Sequence, residues 1–137
     1  MNTQRLVIAI FVASTCMLLS FAYGDQAGKS AQSVKELQQS RIAVYEELVR
    51  TSSFELKHGG VTEQDVFEAE VMLLDARAQA TSDEKELLDL LKQKVKVLSR
   101  LEAFQEVSVK HGRCSGRTLL LTRARNIEAQ IAVAECQ

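Results

Sequence analysis

The chain has 137 residues, with 17 Lys and Arg against 18 Asp and Glu and a formal net charge of −1. Its charges are interspersed and nearly balanced, without the basic patch of nucleic-acid-binding proteins, so we expect no nucleic-acid partner. The length suits one domain, and the absence of Pro leaves few positions at which a helix must end.

The first 24 residues predict a secretory signal peptide. An apolar run over 6–21 follows the single cation Arg5, and small residues stand just before Asp25, where cleavage is expected. The alternatives are an uncut membrane anchor and a lipidated Cys16. Secretion across the inner membrane would place the protein in the periplasm or at the outer membrane.

Beyond the leader, residues 25–33 are expected to form a flexible N-terminal segment and residues 34–137 a helical coiled-coil domain. Apolar residues in the second range recur at steps of three and four, the spacing of an amphipathic helix, and no stretch alternates as a strand would. The predicted fold class is therefore all-α, with elongated antiparallel helical hairpins or a coiled coil.

One short signal occurs twice, 53 residues apart. Lys57-His58-Gly59 is followed by Thr62, and Lys110-His111-Gly112 is followed by Ser115. A Gly ends a helix readily, and a Ser or Thr shortly after it caps the next one. Each copy therefore predicts a turn between two helices, and the pair suggests an internal repeat.

The turns delimit three predicted helices, at about 30–57, 63–110 and 115–136. The middle helix is expected to be unbroken, because an apolar seam with alternating steps of four and three crosses its whole length. The alternative is four helices with a break near 81–82, where the tetrapeptide Thr-Ser-Asp-Glu resembles a capping box.

An unbroken middle helix would place the two turns at opposite ends of a rod, with the shorter helices folded back on it and meeting near Leu90. The faces expected to contact it carry Val34, Leu37, Val44 and Leu48 in the first helix and Leu120, Ala124, Ile127, Ile131 and Ala134 in the last. A second stripe on the long helix would stay exposed: Leu74, Leu88, Leu91, Val95 and Leu98. Such stripes mark partner surfaces, so we expect self-association or docking onto a helical protein.

The residues around the turns resemble the helical hairpins of TolC-like outer-membrane efflux proteins. The family pattern has a Gly, a Ser or Thr three residues on, an Asp-Val pair three later, and Ala at helical spacing. The first turn matches with Gly59, Thr62, Asp65, Val66 and Ala69. The second keeps Gly112, Ser115 and Leu119, with Thr118 in place of the acid and Thr122 in place of the Ala. The resemblance covers roughly residues 41–137.

This resemblance implies a periplasmic coiled-coil element whose turns meet the adaptor proteins of efflux pumps. In the family the turns lie at the same end of the tunnel wall, and internal duplication is a family trait. The residues it implies for partner binding are Gly59, Thr62, Asp65, Val66, Ala69, Gly112 and Ser115.

Few residues offer other chemistry. His58 and His111 each precede a helix-terminating Gly and are expected to cap the helix rather than to act in catalysis or bind a metal. Cys114 and Cys136 are 22 residues apart on one predicted helix, roughly 33 Å at helical rise, so we expect free thiols or an intermolecular disulfide. We expect no enzymatic activity, no catalytic residues, no metal and no cofactor.

Two functions follow as hypotheses. The first is a transport-associated periplasmic component similar to the TolC-like tunnel wall, or a reduced relative without a channel, with an efflux adaptor as partner. The second is a secreted structural coiled-coil protein that binds a helical partner, or a second copy of itself, through an exposed apolar stripe. Neither identifies a small-molecule substrate.

Overall fold

The computed structural model describes residues 33–136, which form helices and connecting turns with no strand among them. The chain divides into two units, Met1–Leu37 and Gln38–Gln137. Of the first unit only residues 33–37 are described, as helix. The predicted signal peptide and most of the predicted flexible segment lie outside the described residues, and all packing below concerns the second unit.

Four helices follow one another along the described chain. Helix α1 covers 33–57, α2 is Glu63–Ala80, α3 is Glu84–Lys110 and α4 is Gly116–Glu135. The all-α class is confirmed, and the alternative of four helices is correct. The preferred single helix over 63–110 is wrong, because residues 81–83 are not helical.

Local capping produces this break. Thr81 is extended, with φ −85° and ψ 144°, and it ends α2. The Asp83 carboxylate accepts hydrogen bonds from the backbone N–H groups of Lys85 and Glu86, at 2.8 and 3.1 Å, and so starts α3. The apolar seam crosses the break in register, but its two members there, Ala80 and Asp83, are exposed. Seam spacing alone therefore did not require a continuous helix.

Helix α3 folds back along α2, and α4 folds back along α3, so that α3 contacts both of them. Asp75 of α2 and Lys94 of α3 form an ion pair at 2.6 Å, and the rings of Phe67 and Phe104 meet edge to face at 6.5 Å between centroids. The core cluster of these three helices comprises Phe67, Val71, Leu74, Leu90, Val97, Leu98, Leu101 and Ala129.

Helix α1 runs antiparallel to α2 and is joined to it by polar contacts. Arg77 Nη2 donates to Glu46 Oε1 at 2.7 Å, and Arg41 Nη1 donates to Gln79 Oε1 at 2.7 Å. The apolar α1 side chains that are half-buried are Ile42, Tyr45, Val49 and Leu56, and Ser52 of the same helix is buried. The described chain thus contains two helical hairpins, α1–α2 and α3–α4.

The break changes which apolar residues are covered. In the stripe predicted to stay open, Leu74 and Leu98 are buried and the other three members are half-buried, because α2 and α3 cover each other. Leu90 lies in this core rather than at a junction between the short helices. The predicted contact faces of the outer helices are exposed instead, with Val44 of α1 at 66 % and Leu120 of α4 at 62 %.

Candidate functional site: the paired helix turns

The first turn is built as a Schellman motif at the end of α1. The Gly60 N–H donates to Glu55 O at 2.9 Å, and the Gly59 N–H donates to Leu56 O at 3.2 Å. Gly59 adopts φ +76°, a left-handed conformation that a residue with a Cβ rarely takes. His58 Nδ1 lies 2.8 Å from Phe54 O and must donate to it, because a carbonyl oxygen only accepts.

A capping box starts α2 directly after this turn. The Asp65 N–H donates to Thr62 Oγ1 at 3.4 Å, while the Thr62 N–H and hydroxyl both donate to Asp65 Oδ2, at 2.8 and 2.7 Å. These hydrogen bonds favour the ionised carboxylate, so the Thr62 hydroxyl, and then its backbone N–H, hold the pKa of Asp65 below its usual value of 3.8.

The second turn repeats this construction at the end of α3. The Arg113 N–H donates to Ser108 O at 2.8 Å and the Gly112 N–H to Val109 O at 3.0 Å, with Gly112 at φ +68°. His111 Nδ1 lies 2.8 Å from Val107 O, as His58 lies from Phe54 O. Both histidines therefore cap the helices that they end, which is the role predicted for them.

The cap of α4 shows where the two copies have diverged. Ser115 Oγ accepts from the Thr118 N–H at 3.2 Å, but Thr118 contributes a hydroxyl, 2.9 Å from Ser115 Oγ, where the first turn has a carboxylate. The second turn thus keeps the N-cap and lacks the charged half of the capping box.

The two turns lie at the same end of the helices. A groove of about 290 Å³ is lined by Thr62 and Gln64 at the start of α2 and, from the second hairpin, by Phe104, Val107, Ser108, His111, Arg113 and Cys114. The expectation of turns at opposite ends of a rod is therefore wrong. The break at 81–83 reverses the chain between the two turns, so α3 returns to the end from which α2 started.

The two copies have acquired opposite charge. Residues 54–74 contain five acids and one cation, whereas the equivalent residues 107–127 contain five cations and no acid. Arg125 of α4 pairs with Glu68 of α2 at 2.9 Å. Arg123 pairs with Glu102 at 2.8 Å and also with Glu106, and these partners raise its pKa above the ordinary value. The Arg125–Glu68 pair therefore joins the two copies, whereas the Arg123 pairs lie within the second hairpin and join α4 to α3.

The seven residues predicted to bind a partner divide into two groups. Five are exposed in the turns: Gly59, Thr62, Asp65, Gly112 and Ser115. The other two, Val66 and Ala69, are only 9 % and 2 % exposed, so they pack inside the protein. The groove residues Gln64, Phe104 and Val107 were not predicted from the sequence. They lie together only because the break near 81–82 lets α3 fold back beside the first turn, and a continuous helix was preferred there.

Cys114 is half-buried in the groove, whereas Cys136 is exposed at the far end of α4, and both are free thiols. Within 33–136, no group of three or more His, Cys, Asp and Glu side chains is arranged to hold a metal ion. None of the described helices is long and apolar enough to cross a membrane.

No protein-family model, curated protein or solved structure matches this chain.

Proposed function

We propose that this protein is a non-catalytic helical component of the cell envelope, similar to the tunnel-wall hairpins of TolC-like efflux proteins, and that its paired turns bind a helical partner. The observation that supports this most directly is that both turns lie at one end, as the turns of that family do. The signal-peptide pattern over 1–24 supports a periplasmic location.

The turns have the properties of a preformed binding surface. Each is fixed by a Schellman motif and an N-cap, so little conformational freedom would be lost on binding. Their opposite charges would give a partner one defined orientation, with its acidic side toward Arg113 and Arg117 and its basic side toward Glu63 and Asp65. An efflux adaptor, which offers a helical hairpin, is the partner that the resemblance implies.

The test is co-purification with a periplasmic efflux adaptor from the same organism. Arg117→Glu reverses an exposed charge at the second turn, and we expect it to abolish capture. Lys92→Glu is the matched control, because Lys92 is also exposed but lies in α3 away from the turns. Equal capture of the wild type and Arg117→Glu would refute the proposal.

The exposed apolar faces of α1 and α4 favour a second candidate, a structural coiled-coil protein. Val44 and Leu48 are 66 % and 39 % exposed, and Ile127 and Ile131 are 57 % and 52 % exposed. Contiguous apolar faces of this kind are typical of helix-binding surfaces. Under this reading Ile127→Ser should abolish partner binding while Arg117→Glu leaves it intact, the reverse of the result expected for the turns.

A further inference from the structure

The two hairpins align in sequence with a constant offset of 53 residues, and several buried positions recur at that offset. Ala69 and its equivalent Thr122 are each 2 % exposed, and Ala76 and Ala129 are each 3 % exposed. Ser52 and Gln105 are equivalent as well, and both are buried polar residues. The hairpins are therefore structural repeats, and a contact made by one can be compared with its counterpart in the other.

The contact between α2 and α3 joins the two repeats. From α2 it uses Phe67, Val71 and Leu74, which belong to the core cluster. Their equivalents in α4 are Leu120, Ala124 and Ile127, and all three are exposed. The apolar face by which α2 contacts the second hairpin therefore has a counterpart on α4. Within the described residues, no further hairpin follows α4 to cover it.

Helix α1 shows the complementary pattern. From α3 the contact uses Val97 and Leu101, both in the core cluster. Their equivalents in α1 are Val44 and Leu48, which are exposed. The face by which α3 contacts the first hairpin therefore has a counterpart on α1, and this α1 face is exposed.

The charges are preserved in the same register. The α2–α3 contact includes the ion pair between Asp75 and Lys94, at 2.6 Å. The equivalent positions are Glu128 in α4 and Arg41 in α1, again an acid and a cation. If α4 packed against an α1 helix in the same way as α2 packs against α3, Glu128 and Arg41 would therefore lie opposite each other.

We propose that the occupant of the α4 face is α1 of a second copy of this chain, packed as α3 packs on α2. Each copy then presents one α4 face and one α1 face, so the contact is head to tail, and it forms a closed ring where the rotation between successive copies closes. All paired turns lie at the same end of such an assembly. This inference extends the second candidate function and does not depend on the paired turns.

The first test compares two exposed side chains of α4 in the full chain, expressed with its own leader and purified from the cell envelope. Ile127→Ser alters the proposed face. Leu121→Ser is the matched control, because Leu121 is equally exposed, at 57 %, but is equivalent to Glu68 rather than to a core residue. In sedimentation velocity, we expect Ile127→Ser to weaken self-association about tenfold or more and Leu121→Ser to leave it unchanged.

The second test reverses the proposed ion pair. Glu128→Arg and Arg41→Glu should each weaken self-association several-fold by placing like charges opposite each other, and the double variant should restore it. Circular dichroism melts identify any variant that has lost its fold. A wild-type chain that stays monomeric at high concentration, equal effects of Ile127→Ser and Leu121→Ser, or a folded double variant without recovery would each overturn the inference. Arg117→Glu should leave self-association unchanged, and this variant therefore distinguishes self-association from adaptor binding.

Discussion

Replacing Gly112 by Ala tests whether the second turn depends on a left-handed glycine. Gly112 has φ +68°, and a Cβ built there would meet nothing within 4 Å. Steric contact therefore contributes no penalty, and the whole cost is that of holding an L-residue in the left-handed region, about 1–2 kcal/mol. Gly116 is the matched control, because it also has open space but lies in helix α4 without a positive φ. Gly116→Ala should stabilise the fold by about 0.4–1 kcal/mol.

The measurement is urea unfolding followed by helical circular dichroism at one fixed protein concentration, since self-association would otherwise shift the midpoint. With an m-value of about 2 kcal/mol per molar urea, Gly112→Ala should lower the midpoint by about 0.5–1 M. Gly116→Ala should raise it slightly. If both variants unfold at the wild-type midpoint, or if Gly116→Ala is the more damaging, the described backbone of this turn is wrong.

Four further substitutions test the caps and the core. Thr118→Asp supplies the missing carboxylate of the second capping box and should raise the free energy of unfolding by about 0.5–1 kcal/mol in the same urea assay. Asp65→Thr gives the first turn the hydroxyl that Thr118 supplies at the equivalent position of the second turn. Because the folded-state pKa of Asp65 is lowered, its stabilisation is present above pH 3.8 and is lost as the pH falls through the folded value. Asp65→Thr should therefore be less stable than the wild type at neutral pH, with a difference that shrinks in acid melts. Gln105→Leu removes two buried amide atoms that have no partner among the described residues and should add about 1–3 kcal/mol by urea unfolding. Leu101→Ala empties a fully buried core position and should cost about 2–5 kcal/mol in that assay.

The sequence predicts the helices and both turns well because the signals are local. Gly59 and Gly112 adopt the positive φ that a Gly-ended helix requires, and Thr62 and Ser115 cap the helices that follow. The break at 81–83 also has a local signal, the tetrapeptide over 81–84 that resembles a capping box, although in the structure Thr81 ends α2 and Asp83 caps α3. A three-residue turn can keep the apolar residues on either side at alternating steps of four and three. The spacing of apolar residues alone therefore cannot distinguish such a turn from a continuous helix.

Which face of each outer helix is covered could not be predicted from apolar spacing. Helix α4 has two faces, and the apolar one with Leu120 and Ile127 was expected to pack. Instead the inward face carries Thr122 and Asn126, and Asn126 Nδ2 donates to Glu102 Oε2 at 3.1 Å. Hydrogen bonds and ion pairs fix this face, and such specific pairings depend on which helices are neighbours. The offset of 53 residues relates Leu120 and Ile127 to Phe67 and Leu74, which belong to the core cluster.

The size of the uncovered faces bears on the kind of assembly they can form. Full burial of a Leu, Ile or Val side chain stabilises by about 1.5–3 kcal/mol, and these side chains are already partly covered, so each adds about 1 kcal/mol. Five of them would meet in one contact: Leu120, Ile127 and Ile131 of α4 with Val44 and Leu48 of α1. The resulting sum of about 5 kcal/mol lies near the lower end of the roughly 4–15 kcal/mol lost when two proteins associate. An open dimer is therefore weak, whereas in a closed ring each copy uses both faces, and closure adds a further contact without ordering another molecule.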